Sequence, residues 1–273
     1  MVAFSAALPR YLVGPRQPHL VSFRINRRSG VLCYGNGMDK DTAISSAPTA
    51  SSARGTGNRK LKRREQQRAI ETRNLILDAS LTEFAQRGYE AASIRRIAER
   101  TRLQHPLITY HFRTKLILWR AVAEHAFAEI RTAWDRQAPP DCDQAPLDRV
   151  RAEYRTFLRF TLQYPDFHHF MLRESHPNNP RLAWLTRTIL KPLLEDRLLP
   201  QIRAAQEVGE LPAGNPILIH YMMIGATTVL CSLRDEIQTI AGICATDPKI
   251  EHEYWGLIDQ TVFAHRKASK RKK

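Results

Sequence analysis

Side chains that can recognise a polyanion are concentrated between residues 93 and 115. Hydroxyl, amide, imidazole and phenol groups can hydrogen-bond to base edges, and an ammonium group can pair with phosphate. The polar and basic side chains of this segment include Ser93, Gln104, His105, Thr109, Tyr110, His111 and Lys115. The sequence shows no nucleophile–base pattern, no strand-linked phosphate loop and no paired metal motif. The pattern therefore indicates binding rather than catalysis, with no cofactor.

The charge distribution favours nucleic acid as the partner. The chain of 273 residues has a formal net charge of +15. Residues 1–64 have 12 basic and 2 acidic side chains, and the last nine residues have 6 basic side chains and no acidic one. Residues 123–264, in contrast, have 14 basic and 19 acidic side chains. Basic ends on a slightly acidic body predict a polyanionic partner, nucleic acid before a membrane surface.

Hydropathy and cysteine usage restrict the cellular setting. The longest apolar run, 216–233, is interrupted by His220, Thr227 and Thr228 and predicts a buried helix rather than a membrane span. The cysteines lie far apart, at Cys33, Cys142, Cys231 and Cys244, and none belongs to a C-x-x-C pair. This spacing is typical of a protein from a reducing cytoplasm rather than of a disulfide scaffold or a structural zinc site.

Three short helices are predicted to position the polar segment. Apolar residues recur at helical spacing from Ile76 to Phe84, and Gly88 suits the left-handed position at a helix end. Ser93 is expected to cap a second helix, Ile94 to Thr101. A third helix, Gln104 to Phe112, begins with Pro106 in its first turn, and Thr114 is expected to cap the next helix. A helix, a short turn and a second short helix form the helix-turn-helix layout, whose second helix enters the major groove of DNA.

The segment 72–115 resembles the DNA-binding domain of the tetracycline-repressor (TetR) family. The match extends over helical and turn positions together, which makes it more specific than a short motif. The matching residues are Ile76, Ala79, Phe84, Gly88, Tyr89, Ser93, Ile97, Ala98, His111, Phe112 and Lys115. The sequence departs from the family pattern at Arg102, where glycine is usual, and at Leu116, where an acidic residue is usual.

The resemblance implies a homodimeric, all-α transcription regulator. Such a protein is usually a repressor that leaves a near-palindromic operator when a small-molecule effector binds. The resemblance also implies which residues contact double-stranded DNA: Gln104, His105, Leu107, Thr109, Tyr110 and His111 face the DNA, and Ser93 and Lys115 contact phosphates. Arg102, which departs from the family pattern, is a further candidate for a phosphate contact. Two alternatives remain open at this point, a TetR-like regulator without a ligand switch and a largely non-specific basic DNA-binding protein.

The predicted organisation has four parts. Residues 1–58 are rich in Pro, Gly, Ser and Thr and are expected to be disordered. Within them, 1–37 is either a basic arm or targeting-like segment, or sequence upstream of a true start at Met38. Residues 59–122 form the expected helix-turn-helix domain, 123–266 a helical ligand-binding and dimerisation domain, and 267–273 a basic tail.

The second domain is predicted to consist of helices separated by proline and glycine. The expected helices are Leu147 to Tyr164, Asp166 to Arg173, Leu182 to Glu207 with a break or kink at Pro192, Pro216 to Ala241, and Ile250 to Ala268. The last two have more apolar residues than one subunit's core needs, so the homodimer is expected to form through them. The residues on which this expectation rests are Ile224, Val229, Leu230, Leu233, Leu257, Ile258 and Val262.

An effector pocket is expected among aromatic and methionine side chains of the second domain. The candidates are Phe157, Phe160, Phe167, Phe170, Met171, Trp184, Tyr221 and Met222. Ordinary core packing is the competing interpretation for each of them. Asp166 and His169 have the i, i+3 spacing of metal ligands and His168 is adjacent, but a di-metal bundle needs two such pairs, so no metal is predicted.

Overall fold

The computed structural model describes residues 53–140 and 142–263, and within these ranges the chain is helical with no strand. The all-α prediction is confirmed for this part of the chain. The basic tail and most of the segment 1–58 lie outside the described residues. The structure differs from the prediction at 53–58, because helix α1 already begins at Ala53.

The first four helices form the predicted helix-turn-helix. They are α1 (Ala53–Ala91), α2 (Ile94–Thr101), α3 (His105–His111) and α4 (Lys115–Gln137). Gly88 interrupts α1 with φ 73° and ψ 170°, a conformation that a residue with Cβ adopts only under strain. Buried Phe84, Ile97, Ile108 and Trp119 belong to one core that joins the four helices.

Six further helical segments complete the described fold. They are α5 (Pro146–Gln163), α6 (Pro165–Glu174), α7 (residues 182–207), α8 (Pro216–Ser232), α9 (Arg234–Ala241) and α10 (Pro248–Ile258). A wider turn, Asp259–Phe263, continues α10. One core includes residues of both α1 and α7, and a second joins α5, α7, α8 and α10. The predicted boundary at residue 122 falls inside α4.

Helix α7 continues through two prolines. The expected break at Pro192 is wrong, because α-helical turns alternate with the π-helical turns Thr186–Leu190 and Leu194–Leu198. Each π turn ends two residues before a proline, Pro192 or Pro200. A proline clashes with the carbonyl four residues earlier in a regular α-helix, and a widened turn moves that carbonyl away.

The predicted helix Pro216 to Ala241 is also wrong as a single element. The chain bends by 60° between α8 and α9, at Leu233. Leu233 has φ −107° and ψ 19°, and no glycine or proline marks it in the sequence. Within the described residues no single helix is long and apolar enough to span a membrane, although α8 and α9 pass that test as a bent pair.

Candidate nucleic-acid interface

Helix α3 presents a polar face to solvent and an apolar face to the core. Tyr110 is 81% exposed, and Gln104, His105 and Leu107 are also exposed. On the opposite side, Ile108 is fully buried. Pro106 lies in the first turn, where its missing N–H leaves no hydrogen bond unmade. The helix is therefore fixed through one face while four of the predicted contact residues remain accessible.

Thr109 and His111 are less available than the exposed residues of α3. Both are half-buried. The Thr109 hydroxyl donates to the carbonyl oxygens of His105 and Pro106, at 3.3 and 3.0 Å. The His111 ring makes an edge contact with Tyr110, with centroids 5.6 Å apart. These contacts hold the two side chains against the helix, so we expect their contribution to any interface to be smaller.

A buried carboxylate fixes α2 against α1. Glu83 is fully buried, and its Oε1 accepts hydrogen bonds from Arg96 Nε at 2.6 Å and from the Ser93 backbone N–H at 3.2 Å. Arg100 lies 3.6 Å from its second oxygen. Ser93 has the extended backbone of an N-cap, but its side chain makes no cap hydrogen bond. The expected hydroxyl cap is therefore absent, and Glu83 accepts a different hydrogen bond, from the N–H of Ser93 itself.

The turn between α2 and α3 places Arg102 in the left-handed region, with φ 57° and ψ 25°. The Leu103 N–H reaches back to the Ala98 carbonyl at 3.1 Å, which is the longer hydrogen bond of a Schellman-type helix end. A glycine adopts this conformation without penalty, whereas an arginine is strained by on the order of 1 kcal/mol. The turn thus keeps the geometry that a glycine would favour although its residue is arginine, and the Arg102 side chain is exposed.

Lys115 begins α4 but is already engaged within the chain. Its Nζ donates to the Glu90 carbonyl at 2.9 Å and lies 4.8 Å from the centroid of the Tyr89 ring. Burial lowers the pKa of this ammonium group below its ordinary value. Thr114 caps the helix by accepting from the Ile117 N–H at 3.1 Å, as predicted. Any contact of Lys115 with phosphate would add to this internal role.

Arg181, in the loop before α7, packs against residues of the helix-turn-helix. Arg181 pairs with the buried Glu174 at 3.0 Å, and its guanidinium lies 4.0 Å from the Tyr89 centroid. Glu174 also accepts from Trp119 Nε1 at 3.1 Å. Sequence reasoning missed Glu83, Glu174 and Arg181. Their only signal is an acidic or basic residue next to a helical apolar stripe, which usually indicates a solvated position.

The predicted effector residues fall into two groups. Phe157, Phe160 and Phe167 pack together, with Phe160 and Phe167 centroids 5.3 Å apart. Phe170 and Trp184 contact Trp119, and Met171 and Trp184 pack against the same core from partly buried positions. Tyr221 and Met222 are instead 58% and 51% exposed on α8. The structure thus brings six of the eight together in packed core and places the other two on a surface.

The polar residues of α6 that have the spacing of metal ligands contact other side chains. Asp166 accepts from the Thr82 hydroxyl at 2.7 Å, and His168 Nε2 lies 2.6 Å from the Ser232 hydroxyl. Among the residues that the structure describes, no group of three His, Cys, Asp or Glu side chains could hold a metal ion. Burial lowers the pKa of His168 to about 4, so its ring is neutral at pH 7.

Comparison with known proteins bears on the same segment. Residues 76–122 match the family described as bacterial regulatory proteins, tetR family. A helix-turn-helix transcriptional repressor of Mycobacterium tuberculosis and a helix-turn-helix regulator of Mycobacterium bovis are each 40% identical over 74 residues. Residues 76–122 thus match the DNA-binding segment of the TetR family.

The extent of the match differs between sequence and fold. The aligned part covers 27% of this chain and only 39% of each mycobacterial relative. A TetR family transcription regulator from Marinobacter aquaeolei superimposes with a TM-score of 0.58 at 18% identity. That likeness covers 72% of this chain and 98% of the other, and it shows a shared fold beyond the helix-turn-helix.

Proposed function

We propose that this chain is a regulator of the TetR type, which binds DNA sequence-specifically and controls transcription. The observation that carries the proposal is the exposed face of α3, where Gln104, His105, Leu107 and Tyr110 are accessible while Ile108 is buried. Side chains on such a helix can hydrogen-bond to base edges in the major groove. The matched family and the names of the mycobacterial relatives support this assignment, and they indicate a regulator rather than an enzyme. The proposal includes the cytoplasmic location expected from the sequence.

The proposal includes a homodimer formed through α8 and α10. Leu218, Tyr221, Met222 and Leu257 are each more than half exposed on these helices. Leu218, Tyr221 and Met222 have the i, i+3, i+4 spacing of one helix face, and exposed apolar side chains on a shared face are typical of an interface between copies. Of the residues named from the sequence, Leu233 and Leu257 are exposed, whereas Leu230 and Ile258 are buried within one subunit. The proposed interface uses the part of the predicted helices that α8 and α10 contain, and it consists of their exposed residues.

The function is tested by selecting genomic DNA fragments that bind the purified full chain. We expect enrichment of a few fragments that share a near-palindromic site, because a two-fold dimer presents α3 to each half-site. The selection is repeated with His105→Ala and Tyr110→Ala, both at exposed positions. Loss of enrichment in these folded variants supports direct reading of the sequence. Equal recovery of all fragments would indicate the non-specific alternative.

The proposal further specifies that the regulator is a repressor and that a small-molecule effector releases it from DNA. The repressor part is supported by the repressor name of the Mycobacterium tuberculosis relative. The test is release of the selected DNA fragment by extracts fractionated for small molecules. A regulator without a ligand switch would retain the fragment in every fraction.

A further inference from the structure

A cavity of about 510 Å³ lies between α5 and α10, and its lining does not include Phe157 or Phe160 of the aromatic cluster. Its size is within the range of small-molecule sites. The cavity is lined by Gln137, Arg151, Ala152, Arg155, Thr156, Arg159, His252, Trp255, Gly256 and Asp259. We propose that this cavity binds a small organic anion through Arg155. The site goes beyond the proposed function, because binding there requires no DNA.

The positive charge of the cavity comes from one face of α5. Arg151, Arg155 and Arg159 recur at intervals of four residues, so their side chains lie along the same stripe. Asp259 pairs with Arg151 at 2.9 Å, and Glu251 pairs with Arg159 at the same distance. The outer two arginines are therefore neutralised by acidic residues of α10 and the turn that continues it.

The central arginine is the one that the chain leaves without a close acidic partner. Arg155 reaches Glu251 only at 4.0 Å, and its other contact is His252 Nδ1 at 3.4 Å. Its Nε is buried and, like that of Arg151, has no hydrogen-bond partner among the described residues, but Arg151 also has a carboxylate oxygen at 2.9 Å. The guanidinium of Arg155 therefore keeps hydrogen-bonding capacity that an oxyanion in the cavity would use.

The chemistry of a guanidinium specifies the ligand group. Arginine forms two parallel hydrogen bonds to a carboxylate or a phosphate, a geometry that a single point charge does not offer. The rest of the wall offers Trp255 and Ala152 as apolar contacts, and a Cβ added at Gly256 would meet no atom within 4 Å. We therefore expect a ligand with one oxyanion group and a small apolar body.

Thermal unfolding of the full chain with defined probes tests the site. The probes are benzoate and phenyl phosphate, with sodium chloride at matched ionic strength as the control. A ligand that binds the folded state raises the melting temperature in a saturable way. We expect saturation with at least one probe and none with chloride. A larger effect of benzoate identifies carboxylate as the preferred group, and a larger effect of phenyl phosphate identifies phosphate.

Two variants and a matched control locate the binding. Arg155→Gln removes the central cation and should weaken binding at least tenfold, whereas Arg187→Gln, at an exposed position on α7, should leave it unchanged. Gly256→Leu fills the open space without changing the charge, and it should also weaken binding of the probes. If Arg155→Gln does not fold, the response of Gly256→Leu decides the test. The proposal is overturned if neither probe gives a saturable rise, or if the folded variants respond as the wild type does. These readouts remain informative even if the chain binds no specific DNA.

Discussion

The guanidinium of Arg181 lies 4.0 Å from the centroid of the Tyr89 ring, and Lys115 approaches the same ring at 4.8 Å. Tyr89 follows the interruption of α1, Lys115 begins α4, and Arg181 precedes α7 by one residue. One aromatic ring thus holds three separate parts of the chain together behind the helix-turn-helix. Such contacts contribute about 0.5–2 kcal/mol each, more when the cation is withdrawn from water.

The first prediction concerns Arg181. Arg181→Gln leaves the buried carboxylate of Glu174 without its guanidinium, and removal of one partner of a buried pair typically costs about 3–5 kcal/mol. We expect a decrease of about 3 kcal/mol in the free energy of unfolding, measured with urea. Arg187→Gln, at an exposed site, is the matched control and should change it by less than about 0.5 kcal/mol. A small effect at position 181 would show that Asn179, which also contacts Glu174, suffices.

The second prediction compares arginine-to-glycine substitutions at two positions. They should change the free energy of unfolding in opposite directions. Arg102→Gly relieves the left-handed strain and should raise the free energy of unfolding by about 1 kcal/mol. Arg95→Gly, at an exposed position inside α2, should lower it by about 1 kcal/mol, because glycine disfavours a helix interior. Chemical denaturation of both variants measures the pair. A loss of stability at both positions would contradict the left-handed turn.

The third prediction separates recognition from folding. Tyr110→Ala should leave the free energy of unfolding within about 0.5 kcal/mol, because the side chain is 81% exposed. If Tyr110 contacts a base edge, the variant should lose about 1–3 kcal/mol on the selected operator and little on a scrambled duplex. Titration of both duplexes at several salt concentrations distinguishes this from a phosphate contact, for which the two losses would be equal.

The fourth prediction concerns the oligomeric state. Leu218→Glu introduces a charge on the exposed apolar face of α8 and should convert the proposed dimer into a monomer at micromolar concentration, as measured by sedimentation velocity. Leu172→Glu is the matched control, since Leu172 is 50% exposed on α6. Sedimentation of the wild type as a monomer would refute the proposed interface.

The fifth prediction is a dependence of stability on pH. Burial lowers the pKa of both His168 and His220 to about 4, from an ordinary value of 6.5. Between these values the unfolded chain takes up protons that the folded chain does not, so the free energy of unfolding decreases as the pH falls from 6.5 towards 4. Urea unfolding at pH 7, 6 and 5 measures the decrease. His168→Asn should reduce the slope, and His176→Gln, at an exposed position, should not.

The sequence predicted the helices whose boundaries have local signals. Gly88, Thr114 and Pro165 mark helix ends because the backbone or a side-chain hydrogen bond requires those residue types there. The bend at Leu233 has no such signal in the sequence. The π turns before Pro192 and Pro200 result from relaxation of a whole helix around two prolines, which a residue-by-residue rule treats as breaks.

The sequence predicted which residues lie on the candidate DNA face, but the side-chain contacts of these residues are known only from the structure. Apolar periodicity correctly placed Ile108 and Phe112 inside and Tyr110 outside. It could not show that Lys115 donates to the Glu90 carbonyl, or that the Glu83 side chain takes the Ser93 N–H. These contacts depend on helices separated in sequence by 10 to 25 residues. Side-chain partners at that separation follow from packing, and helical periodicity contains no information about them.

The end of the long first helix depends on a residue far along the chain. Arg173 of α6 donates to the carbonyl oxygens of Ala85 and Gln86, at 2.6 and 2.8 Å, just before Gly88. Carbonyls at a helix end otherwise require water or a local cap. The helix-turn-helix segment therefore relies for part of its helix end on a residue outside it. We expect a fragment ending at residue 122 to lose order in its first helix, because the arginine that completes that helix belongs to the removed half.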